Sequence, residues 1–222
     1  MNFNLEEIAE QIINHPYFQK SKLPIENNGN HIDDPVFEHQ MRTYEKAKDL
    51  VKGELITNSE AKTEFENLMN TEIEKIKTED LLQIVSLLHD IGKIIVFNDN
   101  GKDFPLLRSL QNGKTDAPVH EYWGSLLARE ILLELNLPTT AIDYITNCIR
   151  LHNSGFNFWF ENIPNEKRLF EIKLRSENLH AEIIFGTYCD LFYGDGFKNQ
   201  LNLPIEILNM PEAYQKLAHK TL

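Results

Sequence analysis

Leu87-Leu88-His89-Asp90-Ile91-Gly92-Lys93 places a histidine and a carboxylate side by side within an otherwise apolar run. The residues around the pair predict a buried helix over 80–96. A carboxylate removed from water needs a charged partner or a cation to compensate for its lost hydration. Neutral imidazole is the commonest protein ligand of metal ions. Taken alone, this stretch fits a pair of metal ligands and a paired His-Asp dyad in the core about equally well.

Helical periodicity extends outward from this run through most of the chain, and no stretch shows the convincing alternation of a strand. The predicted helical segments are 4–14, 35–52, 60–77, 80–96, 119–136, 139–152, 176–193 and 211–220. The dipeptide Asp34-Pro35 suits a helix cap followed by a first-turn proline, and Pro138-Thr139 suits the start of another helix. We therefore predict an all-α protein.

Two longer connections, Asn98–Pro118 and Asn153–Arg175, interrupt the helical pattern. Long loops in compact domains are often functional. The aromatic loop 156–160 in the second connection holds four aromatic residues, Phe156, Phe158, Trp159 and Phe160. Such a cluster can cover a pocket or stack on a base, but more commonly it packs into the core.

The composition restricts the classes of protein to which the chain can belong. It has 222 residues, of which 41% are hydrophobic and 25% charged, as expected for one globular domain over 1–222. The net charge of −12 argues against an extended nucleic-acid surface. Cys148 and Cys189 lie in apolar helical segments and are expected to be buried reduced thiols. With no apparent export signal or membrane span, we expect a cytoplasmic protein that does not act at a membrane.

Four further candidate ligands lie on the apolar sides of separate predicted helices, namely His39, His120, His152 and Asp190. Each inward histidine alone is more often a satisfied core residue than a ligand. Together with His89 and Asp90, however, they would leave many polar groups to satisfy in one small core, whereas one or two metal ions would bind them all. We therefore predict a metal site. The remaining histidines are expected at the surface: His15, His31, His180 and His219.

The order of these residues resembles the HD-domain superfamily of metal-dependent phosphohydrolases. His39-Gln40-Met41-Arg42 looks like its first motif, and the run His89-Asp90-Ile91-Gly92-Lys93 looks like its central motif. His120, with Gly124 and Ala128 after it, is similar to the third, and Ile149-Arg150-Leu151-His152 to the fourth. The stretch 81–152 especially resembles the HD part of bacterial tRNA nucleotidyltransferases and their stand-alone relatives. The chain has no motif for the nucleotide-transfer head of those enzymes.

The resemblance covers roughly 35–193 and implies a helical bundle. The spacing between His39 and His89 is wider than usual, so we expect a helical insertion over 53–80 and a C-terminal extension over 194–222. The inserted helix is amphipathic and acidic, and its predicted apolar side contains Ala61, Phe65, Leu68, Met69, Ile73 and Ile76.

The resemblance also implies the ligand sets. His39, His89, Asp90 and Asp190 would hold one metal, and Asp90 would bridge to a second metal held by His120 and His152. Nitrogen and oxygen ligands without thiolate suit manganese, iron, cobalt, nickel or zinc, and magnesium is also compatible.

Hydrolysis of a nucleotide or other small phosphate ester, including a phosphodiester, follows from the resemblance, with Asp90 and Lys93 in catalytic roles. Lys93 would hold a phosphate oxygen, and Arg42 and Arg150 would bind phosphate or orient the polar groups behind the ligands. Two alternatives remain at this point. Some HD-fold enzymes use a similar cage of two irons for oxygen chemistry, and others are non-catalytic modules stabilised by metal.

Overall fold

The computed structural model describes residues 3–26, 31–99, 102–105, 108–109, 115–116, 119–154, 156–192 and 200–217, with the backbone alone described between 96 and 116. The described chain is an all-α helical bundle, as predicted. Its helices are α1 (Leu5–Asn14), α2 (Pro16–Lys20), α3 (Val36–Leu50), α4 (Ser59–Asn70), α5 (Thr78–Leu88), α6 (His120–Glu134), α7 (Thr139–Leu151), α8 (Asn165–Arg175), α9 (His180–Leu191) and α10 (Asn202–Leu208). Short 3-10 helices span Ile91–Ile94, Phe156–Trp159 and Pro211–Tyr214.

Strands are short and lie between the helices, paired antiparallel in four two-stranded ladders within the described residues. The pairs are β1 (Ile25–Glu26) with β2 (Asp34–Pro35), β3 (Glu72–Ile73) with β4 (Ile76–Lys77), β5 (Val96–Asp99) with β6 (Lys102–Pro105), and β7 (Arg108–Ser109) with β8 (Thr115–Asp116). Periodicity did not reveal them because most are only two residues long. The predicted loop Asn98–Pro118 thus contains three strands and the end of β5.

Two hydrophobic clusters form the core of the described part of the chain. The first packs α5, α6 and α7 against α1, with Leu87, Ile131 and Ile145 fully buried. The second packs α4, α8, α9 and α10 together, with Phe65, Ile172 and Phe185 at its centre. None of the helices in the described part of the chain combines the length and apolar character that crossing a bilayer requires.

Several predicted helix limits were wrong. The segment 80–96 is not one helix, because α5 ends at Leu88 and Asp90 leaves the α-helical region with φ −103° and ψ 7°. The segment 60–77 ends as a helix at Asn70, and Ile73 and Ile76 lie in the β3–β4 hairpin instead. The segment 211–220 is described only to 217 and holds a single 3-10 turn.

Several helices of the structure were not predicted from the sequence. The predicted loop Asn153–Arg175 contains α8, and α2 and α10 were not predicted. Asp34 does not cap α3, since Pro35 occupies the cap position and the Asp34 carboxylate accepts a hydrogen bond from Arg42 instead.

The aromatic loop 156–160 packs largely into the core. Trp159 is buried in the second cluster, and Phe156 packs against that cluster. Arg168 holds the turn by donating to the carbonyl oxygens of Phe158 and Glu161 at 2.8 and 2.9 Å. Cys148 and Cys189 are buried free thiols, as predicted.

Candidate metal centre

Five helix ends meet at one end of the bundle and bring the six candidate ligands together. His89 and His152 are the C-cap residues of α5 and α7, and Asp190 lies in the last turn of α9. His120 is the first residue of α6, and His39 lies in the first turns of α3. A helix C-terminus has a negative potential, so three such ends facing one point favour a cation there.

The six candidate ligands form two adjacent groups of three, and within each group the donor atoms all lie within 4.8 Å of one another. A further group of this kind in the described part of the chain, His31, Asp34 and His39, shares His39 with them. The first group is His39, His89 and Asp190, and the second is Asp90, His120 and His152. In the first group, Asp190 Oδ1 lies 2.8 Å from His39 Nε2 and 3.7 Å from His89 Nε2.

The carboxylate of Asp90 faces both groups. Its Oδ2 lies 3.5 Å from His39 Nε2 and 3.3 Å from His89 Nε2. Its Oδ1 lies 3.2 Å from His120 Nε2 and 3.9 Å from His152 Nε2. One side chain therefore offers an oxygen to each half of the cluster.

Backbone contacts determine which ring nitrogen faces the cluster. Nδ1 of His89 donates to the carbonyl oxygen of Ser86 at 2.9 Å, and Nδ1 of His152 to that of Ile149 at 2.6 Å. Because Nδ1 of each ring holds the hydrogen, Nε2 presents a lone pair to the cluster. Free carbonyls of a final helical turn thus orient both ligands.

The spacing of these nitrogens fits metal binding. His39 Nε2 and His89 Nε2 are 3.3 Å apart, and His120 Nε2 and His152 Nε2 are 3.2 Å apart. Two nitrogens that share a metal at about 2.1 Å lie about 3.0–3.4 Å apart at octahedral or tetrahedral angles. Imidazole nitrogens and carboxylate oxygens, with no sulfur ligand, form a donor set that suits a divalent transition metal. The residues therefore fit the cations that the sequence analysis anticipated.

In the metal-free protein, protonated side chains supply part of the positive charge in the ligand cluster. Burial alone would lower the pKa of His89, but the charges of Asp90 and Asp190 outweigh it and raise the pKa to about 10. Burial, reinforced by His120 and His89, lowers the pKa of His152 to about 4. Although burial opposes it, Lys93 and His89 hold the pKa of Asp90 well below its usual range. The cluster therefore attracts positive charge strongly.

Lys93 reaches the cluster, as the sequence analysis expected. Its Nζ lies 2.7 Å from Asp90 Oδ2 and 2.9 Å from Glu26 Oε2, and the residue is only 7% exposed. Despite burial, the carboxylates of Asp90 and Glu26 raise the pKa of Lys93.

The two arginines that were expected to bind phosphate, Arg42 and Arg150, bond to carboxylates that are not among the six candidate ligands. Arg42 Nη2 lies 2.6 Å from both carboxylate oxygens of Asp34, behind His39. Arg150 Nη2 donates to Glu177 at 2.9 Å on a partly exposed surface. Of the three expected phosphate-binding residues, Lys93 contacts a ligand directly, whereas Arg42 bonds to Asp34 and Arg150 bonds to Glu177.

A layer of polar residues that the sequence analysis did not select surrounds the ligands. His31 was expected at the surface, but it is buried, with Nδ1 3.2 Å from Asp34 Oδ2. Asp34 Oδ2 in turn lies 4.0 Å from His39 Nδ1. Glu121 accepts a hydrogen bond from Asn153 at 2.9 Å and lies 3.7 Å from His120 Nδ1. Carboxylates behind metal-binding histidines commonly orient the ring.

Of the other histidines expected at the surface, His180 is also buried, so that prediction was wrong. His15 is partly buried and pairs with Glu134. His219 lies outside the described residues.

Gly92 and Gly124, which belong to two of the motifs quoted above, allow the two groups of ligands to lie side by side. A Cβ atom at Gly92 would clash with the backbone oxygen of His120 and lie 2.5 Å from the backbone nitrogen of Gly124. The turn that follows Asp90 therefore packs directly on the first turn of α6. This close contact places His120 beside Asp90.

The chain matches no protein-family model and no curated protein sequence. The assignment of function therefore depends on the geometry of the cluster and on the motif resemblance.

Proposed function

We propose that this protein is a metal-dependent phosphohydrolase that acts on a nucleotide or other small phosphate ester, phosphodiesters included. The observation on which the proposal rests is the convergence of His39, His89, Asp90, His120, His152 and Asp190, with the Lys93 ammonium 2.7 Å from Asp90. The resemblance to the HD-domain superfamily, stated on the motifs around these residues, supports the reaction class.

His39, His89 and Asp190 would hold one divalent cation and His120 and His152 a second, with one oxygen of Asp90 directed to each group. Such cations polarise a phosphoryl oxygen and make a bound water nucleophilic near neutral pH. Asp190 has the most exposed side chain of the ligands at 21%, so a small substrate would enter from its side.

Lys93 would neutralise an oxygen of the substrate phosphate. Its pKa is raised, so the ammonium is charged throughout the working pH range. Glu26 and Asp90 hold that ammonium on one side of the ligand cluster and limit its rotation. Positioning a charge in advance lowers the reorganisation needed in the transition state.

The charge of the chain favours a small substrate over a polyanion. With a net charge of −12, most of the surface repels nucleic acid, whereas the cations and Lys93 attract a single phosphate group locally. We further propose that the protein works in a reducing compartment, the cytoplasm, because both of its cysteines are free thiols.

The proposal is tested with protein loaded separately with manganese, iron, cobalt, nickel, zinc or magnesium. Phosphate or nucleotide release is measured on a panel of mononucleotides, cyclic nucleotides and aryl phosphates. We expect one substrate class to be hydrolysed, and Asp90→Asn to abolish that activity. Asp49→Asn, which changes an exposed carboxylate on α3, is the matched control and should retain full activity.

Confirmed metal binding with no hydrolysis of any panel member would contradict the proposal. Oxygen consumption by the iron-loaded protein would then indicate oxygenase chemistry on the same ligands. Metal-dependent stabilisation without either reaction would indicate a non-catalytic module.

A further inference from the structure

Helix α6 carries apolar residues on two opposite sides. One side packs into the first hydrophobic cluster, with Ala128 and Ile131 fully buried. The other side, together with the residue that precedes the helix, faces solvent and holds four large apolar residues that are between 44% and 60% exposed: Val119, Tyr122, Leu126 and Leu133. We call these four residues the outer face of α6. Single exposed apolar side chains are common on soluble proteins, whereas a contiguous row of them marks a contact surface.

The outer face is a narrow, straight stripe. At about 3.6 residues per turn, Tyr122, Leu126 and Leu133 lie within about 40° of the helix circumference and extend over about 16 Å. Val119 precedes Tyr122 by three positions, and the later gaps are four and seven positions. This spacing is that of a seam along which one helix packs lengthwise against another. The shape of the outer face therefore suits a second helix.

We propose that the outer face of α6 binds a second copy of this chain, as a pair of antiparallel α6 helices related by a two-fold axis at Leu126. Two-fold dimers are the commonest oligomers of soluble proteins, and their interface requires a surface that is complementary to itself. The outer face meets this requirement both in its apolar residues and in the charged residues beside it.

The apolar residues match one another when the axis passes through Leu126, because this residue lies midway between Val119 and Leu133. Leu126 then packs against Leu126 of the second copy, and Val119 lies opposite Leu133 at each end of the pair. Burial of such side chains drives association. An axis placed one turn further along the helix would leave Val119 with no apolar residue opposite it.

The charged residues beside the outer face are complementary in the same register. Arg129 lies opposite Trp123 of the second copy, and a guanidinium binds favourably over an indole ring. Glu130 lies opposite Tyr122, whose hydroxyl donates well to a carboxylate. Because the axis repeats each contact, the pair gains two contacts of each kind.

Contacts within the chain already hold these charged side chains in place. Arg129 pairs with Asp143 of α7, and Glu130 accepts a hydrogen bond from the Tyr17 hydroxyl at 3.1 Å. Side chains that are fixed in advance lose less conformational entropy on association. An apolar stripe with a polar rim is the usual composition of a protein–protein interface.

The charge and the size of the interface limit its strength. The net charge of −12 opposes association only weakly at physiological salt, because charges more than about 8 Å apart are screened there. One pair of helices buries less surface than most stable complexes, whose interfaces exceed about 1,200 Å2. We therefore expect a reversible dimer with a micromolar dissociation constant.

Sedimentation equilibrium of the full chain, from micromolar to millimolar concentration, tests the proposal. We expect a monomer–dimer equilibrium for the wild type. Leu126→Glu and Leu126→Lys should each weaken it by about tenfold or more, because two like charges meet at the axis. An equimolar mixture of the two variants should associate more tightly than either variant with itself, since opposite charges then meet. Leu174→Lys, which changes an exposed leucine on α8, is the matched control and should associate like the wild type.

A wild type that is monomeric throughout this range would overturn the proposal and leave the outer face to a partner of another kind. A dimer that neither Leu126 variant weakens, or a mixture that associates no better than its components, would also overturn it. Circular dichroism establishes that each variant is folded, and Leu133→Glu, with the same expected loss, provides the test if the Leu126 variants do not fold. Association is measured without substrate, so its outcome is independent of the phosphohydrolase proposal.

Discussion

At the scale of single residues, Lys93 connects the ligand cluster to a part of the chain far away in sequence. Its ammonium is buried between Asp90 and Glu26 and makes close ion pairs with both. Removing one partner of a buried ion pair leaves an uncompensated charge, which costs far more than the loss of a surface pair. Lys93 therefore has a structural role in the metal-free protein in addition to its proposed role in binding phosphate.

Replacing Lys93 with methionine should lower the free energy of unfolding of the metal-free protein by about 3–5 kcal/mol, because two buried carboxylates lose their cation. Urea denaturation measures this change. Glu26→Gln in the same background should recover part of the loss, since it removes one of the two carboxylates that have lost the Lys93 ammonium. Lys48→Met, which breaks an exposed pair with Glu45, is the control and should change little. Equal effects of the two lysine variants would contradict the account.

Protonation of His180 makes the free energy of unfolding depend on pH. Its pKa is about 4 in the folded protein and about 6.5 in the unfolded chain, so the unfolded chain binds more protons between these values. Its contribution to stability is therefore complete above about pH 6.5 and decreases as the pH falls towards 4. His180→Phe should remove that part of the pH dependence, measured by urea denaturation in chloride buffer at several pH values. An unchanged dependence in the variant would contradict the buried, neutral state of this ring.

At the scale of elements, the site is made from helix ends rather than helix faces. The sequence could predict which residues face the core, because a three-and-four spacing marks the buried side of a helix and His39, His120 and His152 follow it. It could not predict that α5 stops at Leu88, since Ile91, Ile94 and Ile95 continue the apolar pattern beyond the end of the helix. The periodicity of apolar residues indicates which positions are buried, but it does not indicate the backbone conformation. His89 and Asp90 were therefore predicted to lie within a helix that in fact ends at Leu88.

The polar residues that surround the ligands could not be predicted either, because they lie outside any helical pattern. Glu26 and His31 belong to the segment before α3, where no helical pattern indicates burial. Glu26 contacts Lys93 across 67 positions of sequence. Asp34 followed by proline matched a helix cap equally well. Only the folded arrangement shows that these side chains surround His39 and Lys93.

The contact between Gly92 and α6 predicts the effect of a single methyl group. Gly92→Ala should displace the first turn of α6, lower the free energy of unfolding by about 1–3 kcal/mol and weaken metal binding at His120. Gly186→Ala is the matched control, because a Cβ atom there meets nothing within 4 Å and alanine favours the helix by up to about 1 kcal/mol. Thermal unfolding and metal titration of both variants test this. Normal metal binding by Gly92→Ala would show that the contact does not position His120.

At the scale of the whole molecule, the ligand cluster joins helices from both hydrophobic clusters. Leu87, Leu88 and Cys148, near His89 and His152, belong to the first cluster, and Cys189, next to Asp190, belongs to the second. A cation bound by ligands from both would oppose their separation on unfolding. Metal that binds the folded state alone stabilises it in proportion to the logarithm of its free concentration.

We therefore expect chelation to lower the Tm of the wild-type protein and added divalent metal to restore it. The shift should grow with metal concentration and be much smaller in Asp190→Asn, which loses an anionic ligand of the first group. Differential scanning calorimetry checks this, with Asp49→Asn again as the control. A Tm that is independent of both chelator and metal would show that the helices are stable without a shared cation.

The most direct test is elemental analysis of purified, folded protein together with anomalous scattering from its crystals. We expect one or two divalent transition metal ions per chain, located between His39, His89 and Asp190 and between His120 and His152, with Asp90 between the two positions. Asp90→Asn should fold and lose most of this metal. Folded wild-type protein that takes up no divalent metal, or holds it away from these six side chains, would contradict the account.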